Sequence, residues 1–307
     1  MGIDTKLLNR FEAGLNPRDV ALSAIPATII GYGEISAIFQ IGQNTETVFK
    51  RMPLFTDAAR AQRYERMYHD YCRHLTRAGL RLPLSETAVI SVPGHPVVLY
   101  IAQKRLPGER FCHSLIHRLN REDCISLLEE VIQATARVWQ SNAGTGPEIE
   151  LAIDGQLSNW VSLPSDGGTR LYYIDTSTPL YRINGVEQQN PDLMLQSAPG
   201  FLRWIIRLFF LNDVMTRYYV PRLVYTDLAA NLFKEQKPDL VPPAIELINR
   251  HLPAGSNPLT ATEVGKYYRQ DKMIWGLFLA FRRIDRWLKT RLLRRRYEFI
   301  LPGKIQR

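Results

Sequence analysis

Cysteine and long apolar runs are scarce in this chain of 307 residues. Its three cysteines, Cys72, Cys112 and Cys124, exclude a fold built on paired disulfides and predict a reducing compartment such as the cytoplasm. No stretch approaches the roughly 20 uninterrupted apolar residues that a membrane-spanning helix needs. Six charged residues interrupt residues 1–19, so we expect no secretory signal at the start of the sequence. Hydrophobic residues make up 45% and charged residues 22%, which predicts a globular protein.

The net charge of +9 is concentrated at one end of the chain. Residues 261–307 hold thirteen Lys and Arg against four Asp and Glu, so the remainder is neutral. Within residues 275–296, apolar side chains including Trp275 and Trp287 stand among basic ones. Such a helix can lie on an anionic membrane, bind a nucleic-acid backbone, or pack its apolar side into the domain with its basic side in solvent. We expect the packed helix, and predict no stable partner protein.

The first hundred residues predict a small antiparallel sheet with one helix. A lead-in helix is expected within residues 1–24, and residues 25–103 form the sheet-bearing lobe. Its helix begins at Thr56 or Asp57, either of which can cap it, and ends at Ala78 before Gly79. The strand candidates, bounded by Gly, Pro and Asn, are residues 27–30, 35–41, 45–52, 87–92 and 96–102.

The remainder, residues 104–307, predicts a mostly helical lobe. A connector occupies residues 104–110, and a loop followed by a hairpin interrupts the helices at residues 150–178. The predicted helices cover residues 121–141, 199–220, 222–235, 238–251 and 260–298. The fold class is therefore α+β, with two lobes.

Two features of the first lobe suit phosphate binding. Gly31 and Gly33 lie at a strand–turn–strand, where glycine lets the backbone approach phosphate oxygens, although ordinary turn chemistry explains them equally well. Lys50 ends a strand that should be largely buried, so it needs a carboxylate or a phosphate as partner. Glu65, on the following helix, could reach it. The alternative is a solvated Lys50 and an unrelated Glu65.

The loop and hairpin supply the remaining polar groups. Asp154 and Asn159 are five residues apart on the loop, and Asp175 follows the second hairpin strand. We expect the hairpin to return Asp175 toward Asn159, which gives two oxygen ligands suited to Mg²⁺ and leaves Asp154 to face a substrate hydroxyl. The alternative is that all three residues cap turns. Asp227 and Asn231 repeat the residue types at a spacing of four in a helical context, which predicts an ordinary polar pair.

This order of features, from glycine turn through strand Lys, helix Glu and connector to Asp-x-x-x-x-Asn, hairpin and Asp, resembles the protein-kinase-like fold, including its aminoglycoside-phosphotransferase branch. The motifs cover residues 25–180 and only the architecture covers the helical remainder. More closely, the chain resembles an uncharacterised bacterial family of kinase-like proteins known by a domain-of-unknown-function label. The resemblance implies a two-lobed fold with a small antiparallel-sheet N-lobe and a mostly helical C-lobe.

The resemblance also implies roles for individual residues. Gly31 and Gly33 would cover the phosphates of ATP, and Lys50, oriented by Glu65, would hold them. Asp154 would be the catalytic base, and Asn159 and Asp175 would bind Mg²⁺. The adenine would pair with the backbone between Ala102 and Lys104.

Three departures from the family pattern motivate an alternative function. Ser36 replaces the third glycine, Ala152 and Ile153 replace the His or Arg that precedes the catalytic Asp, and Thr176-Ser177 replaces Phe-Gly. Our leading expectation is an ATP- and Mg²⁺-dependent phosphotransferase acting on a hydroxyl acceptor, a small molecule since no Ala-Pro-Glu element follows Asp175. The alternatives are a pseudokinase scaffold, and a protein that binds anionic surfaces through residues 275–296, peripheral to a membrane.

Overall fold

The computed structural model describes residues 2–33, 36–144, 148–195, 199–200, 203 and 216–302. Its first part is a five-stranded antiparallel sheet. The strands are β1 Ala27–Tyr32, β2 Ala37–Ile41, β3 Thr47–Phe55, β4 Ser85–Ile90 and β5 Val97–Lys104. They lie in the order β1-β2-β3-β5-β4, so β3 and β5 are interior strands. This confirms the predicted sheet, with strand ends shifted by a few residues.

Two helices, α1 Thr5–Gly14 and α2 Ala58–Arg77, cover opposite faces of this sheet. Leu8 and Phe11 of α1 join the core on one face with Phe39 and Phe49. The tyrosines of α2 join the core on the other face, because successive residues of a strand point to opposite sides. Asp57 caps α2 as predicted, since its Oδ1 accepts a hydrogen bond from the Arg60 amide at 2.9 Å.

The rest of the described chain is mostly helical, as predicted. Its helices are α3 Cys112–Leu115, α4 Arg121–Gly144, α5 Pro191–Leu195, α6 Pro221–Lys234, α7 Val241–His251 and α8 Ala261–Trp287. Its strands are β6 Ile149–Leu151, β7 Trp160–Ser165, β8 Gly168–Tyr173, β9 Tyr181–Ile183 and β10 Val186–Glu187. The β7–β8 hairpin confirms the predicted one. One hydrophobic core runs from α2 into α4, α6 and α7, so the two lobes pack directly on each other.

The helices predicted over residues 199–220 and 260–298 have different outcomes. Most of the first range lies outside the described residues. The second range is predicted too long, because α8 ends at Trp287 and continues only as a π-helical turn, Leu288–Leu292. Arg294 then adopts a positive φ of 50°, which turns the chain back toward the N-lobe. None of the described helices is long and apolar enough to cross a bilayer.

A buried ion-pair network holds the end of the described chain against the sheet. Arg51 on β3 is 1% exposed and donates to both carboxylate oxygens of Glu12, at 2.8 and 2.5 Å. The hydroxyl of Tyr100 also donates to Glu12, at 2.6 Å. Arg51 further donates to the main-chain carbonyl and the carboxylate of Glu298, both at 2.9 Å. The contacts of Arg51 with Glu298 therefore hold residues after the end of the helix against the N-lobe sheet.

Candidate active site

Lys50 lies at the contact between the two lobes. In the sheet it is paired with Ile38 on β2 and Ile101 on β5, so its side chain points to the α2 face. Its Nζ lies 3.3 Å from Oδ1 of Asp175 and donates to the carbonyl of Ile174 at 3.1 Å. Lys50 is 5% exposed, so the acidic group and the carbonyl meet the need of a buried ammonium for partners.

The β7–β8 hairpin brings Asp175 to Asn159. A single 3₁₀ turn, Leu157–Asn159, leads into β7, and β8 ends one residue before Ile174. The amide of Ile174 donates to the carbonyl of Asn159 at 3.0 Å. The side-chain amide of Asn159 donates to the carbonyl of Asp154 at 3.2 Å. Hydrogen bonds therefore connect Lys50 to Asp175, the neighbouring Ile174 to Asn159, and Asn159 to the main chain of Asp154.

Two buried phenols lie within electrostatic reach of both Asp154 and Asp175. Burial raises the pKa of Tyr71 on α2 and of Tyr173 on β8 well above the usual value, and the negative charges of Asp154 and Asp175 add to both shifts. Both phenols therefore stay neutral and can donate hydrogen bonds at any ordinary pH. Tyr71 donates to the carbonyl of Ala152 at 2.8 Å, two residues before Asp154.

Three tyrosines of α2 contact the chain segments that carry Asp154 and Asp175. The hydroxyl of Tyr64 donates to the carbonyl of Ser177 at 2.8 Å, and Thr176 Oγ1 lies 3.4 Å from the hydroxyl of Tyr68. Because Tyr64, Tyr68 and Tyr71 share one helix face, a single helix fixes the segments around both Asp154 and Asp175. The helical spacing of the three tyrosines predicts only that they share a buried face, and it does not indicate which groups their hydroxyls contact.

Gln156 connects the carboxylate of Asp154 to helix α6. Its main-chain amide donates to Asp154 Oδ1 at 3.1 Å. Its side chain donates to Asp227 Oδ2 at 2.7 Å and accepts from the amide of Asn231 at 3.2 Å. Asp227 and Asn231, predicted to pair with each other, thus both bind Gln156 instead. The i,i+4 spacing correctly puts them on one face of α6, but that face supports the loop that carries Asp154.

Asp227 is half-buried in this support. Burial raises its pKa, and the charge of Arg217 and the hydrogen bond from Gln156 oppose that rise. The hydroxyl of Tyr267 on α8 donates to its second oxygen at 2.8 Å. Both oxygens of Asp227 are therefore satisfied, as a half-buried carboxylate requires.

Glu65 is not the partner of Lys50, and the predicted pair is wrong in this structure. Its Oε1 accepts a hydrogen bond from Thr87 on β4 at 2.7 Å, and the ion pairs of the described residues include none between Glu65 and Lys50. Adjacent residues on a helix are about 100° apart, and here the face that meets the cleft carries Tyr64 and Tyr68. Asp175 takes the place next to the ammonium.

The glycine hairpin stands in line with Lys50. Gly31 is paired with Ile38, which is in turn paired with Lys50, so all three lie in one row across the sheet. The amide of Gly33 donates to the carbonyl of Ser36 at 2.9 Å, and an added Cβ on Gly33 would lie only 2.6 Å from Ser36 Oγ. A side chain at Gly33 would therefore need the Ser36 hydroxyl to move, which agrees with the plain turn interpretation and leaves the phosphate role a prediction. Residues 34 and 35 lie outside the described residues.

The backbone between Ala102 and Lys104 is part of β5, and its contact with adenine stays a prediction. Ala102 is paired with Phe49 on one side and Glu86 on the other. The amide of Lys104 donates to Leu84 and that of Arg105 to Glu46. Between them, Gln103 donates from its side chain to the carbonyl of Ile174 at 3.3 Å, a link between the lobes that the sequence does not indicate.

The side-chain oxygens of Asn159 and Asp175 suit a hard cation. Asp175 Oδ1 accepts from Lys50 and from Ser177 Oγ, at 3.3 and 3.0 Å, while Oδ2 of Asp175 and Oδ1 of Asn159 accept no hydrogen bond from the described residues. Carboxylate and amide oxygens are ligands that Mg²⁺ accepts, usually with water and phosphate oxygens completing the shell. The described residues contain no cluster of three His, Cys, Asp or Glu side chains, so a cation held here would depend on such added ligands.

The model of a family of unknown function, DUF6206, matches residues 20–286. None of the curated proteins matches the sequence. Among solved structures, the protein WaaP in complex with acyl carrier protein shares 12% identity, with a TM-score of 0.35 over 69% of this chain and 90% of its own. The bifunctional kinase-methyltransferase WbdD shares 15% identity, with a TM-score of 0.31 over 80% of this chain and 49% of its own. Since both TM-scores are below 0.5, we base no inference on these two likenesses.

Proposed function

The chain belongs to DUF6206, a family of unknown function, and on that premise we propose that it transfers a phosphoryl group from ATP to a hydroxyl acceptor. One observation carries the proposal. A buried lysine of the N-lobe sheet is held against an aspartate of the C-lobe, and that aspartate is joined through Asn159 to a second one, Asp154. Phosphoryl transfer needs such a cation, metal ligands and a hydroxyl-orienting group at one place.

Each residue has a distinct task in this proposal. Lys50 would contribute the positive charge that balances the phosphates, since its flexible ammonium carries three donors. Asn159 and Asp175 would hold Mg²⁺, which when bound supplies further charge neutralisation at the transferred group. Gly31 and Gly33 would lie over the phosphates from the hairpin. Asp175 keeps Lys50 in place until a nucleotide enters.

Asp154 would orient the acceptor hydroxyl and accept its proton. Gln156 fixes Asp154 Oδ1, which leaves the aspartate pointing in one direction without a preceding His or Arg. In this chain the support that the missing residue would give comes from Asp227 and Asn231 through Gln156. The acceptor we propose is a small molecule with a free hydroxyl.

Two substitutions and a matched control test the proposal. Lys50→Met should abolish the thermal shift produced by ATP and Mg²⁺, because the buried charge that meets the phosphates is gone. Asp154→Asn should keep that shift and lose at least 100-fold in ATP turnover, since the amide still accepts from Gln156 but takes no proton. Lys104→Met changes an exposed lysine on a neighbouring strand and should leave both readouts unchanged.

The same experiments test the pseudokinase alternative, which the absence of a Lys50–Glu65 pair favours. Nucleotide binding that Lys50→Met abolishes, without turnover in any condition, would replace the enzyme by a nucleotide-binding scaffold. No nucleotide binding at all would refute both. The three cysteines are free thiols, which supports our placement of the protein in a reducing compartment such as the cytoplasm.

A further inference from the structure

Helix α8 exposes a straight apolar stripe. Met273, Leu277, Ile284 and Trp287 are 68, 55, 48 and 59% exposed, which is far from core burial. Their spacings of four, seven and three residues put all four on one side of the helix. At 1.5 Å per residue, the stripe is about 21 Å long. Ile274 beside it, and Leu292 and Leu293 beyond it, are also exposed.

The stripe is not the side of α8 that packs on the protein. Val264, Arg282 and Asp285 are the buried residues of this helix, at 0, 3 and 6% exposure. The Arg282 guanidinium lies over the rings of Phe278 and Phe299, and Asp285 pairs with Lys289 at 2.9 Å. The inward side is therefore occupied by its own contacts, and the apolar stripe faces away from them.

Basic side chains surround the stripe. The exposed ones on α8 and in the segment just after it are Lys266, Arg269, Lys272, Arg283, Arg291, Arg294, Arg295 and Arg296. The local excess of basic residues here equals the net charge of the whole chain, +9. An apolar stripe with Trp at its end and basic residues along it combines two attractions, burial of apolar side chains and attraction to negative charge.

We propose that this stripe docks the protein on an anionic lipid surface, with α8 lying in the plane of the membrane. The apolar stripe would enter the boundary between headgroups and acyl chains, Trp287 would sit at the headgroup level, and the arginines would meet lipid phosphates. The proposal is independent of the phosphotransferase function, because none of these residues contacts the Lys50 site.

Charge and hydrophobicity together select lipid over the other partners. A nucleic-acid backbone rewards the arginines but gives Met273, Leu277 and Ile284 nothing to bury against. A second copy would bring two surfaces of the same positive sign together, which is unfavourable. Only an anionic membrane satisfies both parts of the surface.

Vesicle sedimentation tests this inference with the full chain. We expect the protein to sediment with vesicles of 30% phosphatidylglycerol in phosphatidylcholine, to remain in solution with pure phosphatidylcholine, and to bind less in 0.5 M salt. Leu277→Glu should weaken binding at least tenfold. Leu84→Glu is the matched control, because Leu84 is 70% exposed before β4 and far from α8 in sequence, and it should bind as the unchanged protein does.

A melting temperature measured on each variant shows that it is folded. Failure of the unchanged protein to bind anionic vesicles, or equal loss of binding in both variants, would overturn the proposal. So would a dimer in sedimentation velocity that Leu277→Glu dissociates, since the stripe would then be a protein interface. Binding to a DNA duplex that survives Leu277→Glu, with no vesicle binding, would assign the basic residues to nucleic acid instead.

Discussion

Glu12→Gln tests the buried network that ties α1 and the tail segment to the sheet. Glu12 is fully buried and accepts three hydrogen bonds, two from Arg51 and one from Tyr100. The substitution replaces one acceptor oxygen by an NH₂ group and removes the negative charge beside a guanidinium that is 1% exposed. Breaking a buried ion pair by removing one partner costs about 3–5 kcal/mol.

The expected loss lies at the lower end of that range, because Arg51 keeps the carbonyl and the carboxylate of Glu298. A loss of about 3 kcal/mol lowers the melting temperature of a chain of 307 residues by about 5 °C. Urea unfolding followed by circular dichroism measures the free energy directly. Glu298→Gln is the control; its carboxylate is partly exposed and touches Arg51 through one oxygen, so we expect a loss of about 1 kcal/mol.

The loss must also depend on pH in one direction. Burial alone would raise the pKa of Glu12, but the hydrogen bonds and charge of Arg51 outweigh it and hold that pKa below the usual value of 4.5. A depressed pKa stabilises the fold above pH 4.5, and this stability disappears as the pH falls through the lower folded pKa. The difference between the two proteins should therefore be constant from pH 6 to 8 and shrink below pH 4.5.

Two results would refute this reasoning. One is a Glu12→Gln variant within about 1 kcal/mol of the unchanged protein at pH 7, below the range for a broken buried pair. The other is a difference that does not change down to pH 3. The double variant Glu12→Leu with Arg51→Met separates the pair from its burial, because replacing both charges by apolar groups of similar size should cost much less than the single change.

Three further substitutions test the site and its supports. Gln156→Ala removes the hydrogen bonds to Asp227 and Asn231, so we expect a loss of about 2–4 kcal/mol in urea unfolding and slower ATP turnover at unchanged nucleotide affinity. Tyr71→Phe leaves the buried carbonyl of Ala152 without its hydrogen-bond donor and should lower the free energy of unfolding by about 1–3 kcal/mol, again measured in urea. An unchanged free energy would mean that water replaces the hydroxyl as donor. Gly79→Ala puts a side chain at a φ of 88° and should lower the free energy of unfolding by about 1 kcal/mol without affecting nucleotide binding.

Much of the fold could be predicted because its signals are local. Alternating strands bounded by glycine and proline, and a capping Asp57 followed by an apolar period of 3.6, fix the sheet and α2 within a few residues. The hairpin between Asn159 and Asp175 was predictable for the same reason, since Asp166-Gly167-Gly168 marks its turn. The proximity of Asp175 to Asn159 then follows from strand pairing alone.

The remaining contacts could not be predicted because they depend on which helix face meets which segment. Periodicity identifies the buried side of α2 but does not distinguish Glu65 from its neighbours Tyr64 and Tyr68 as the residue over the cleft. The link from Gln156 to Asp227 joins positions 71 residues apart. The segment after α8 could not be predicted for the same reason, since Glu298 binds Arg51, which lies 247 residues earlier in the sequence.

The three tyrosines of α2 have a consequence for how the lobes can move. Their hydroxyls contact Ser177, Thr176 and Ala152, which belong to two separate segments of the C-lobe chain. Turning the helix by one residue rotates its side chains by about 100°, which would withdraw every phenol at the same time. Opening of the two lobes should therefore occur in a single cooperative step. All three tyrosine contacts are either formed or lost, with no stable intermediate position of α2.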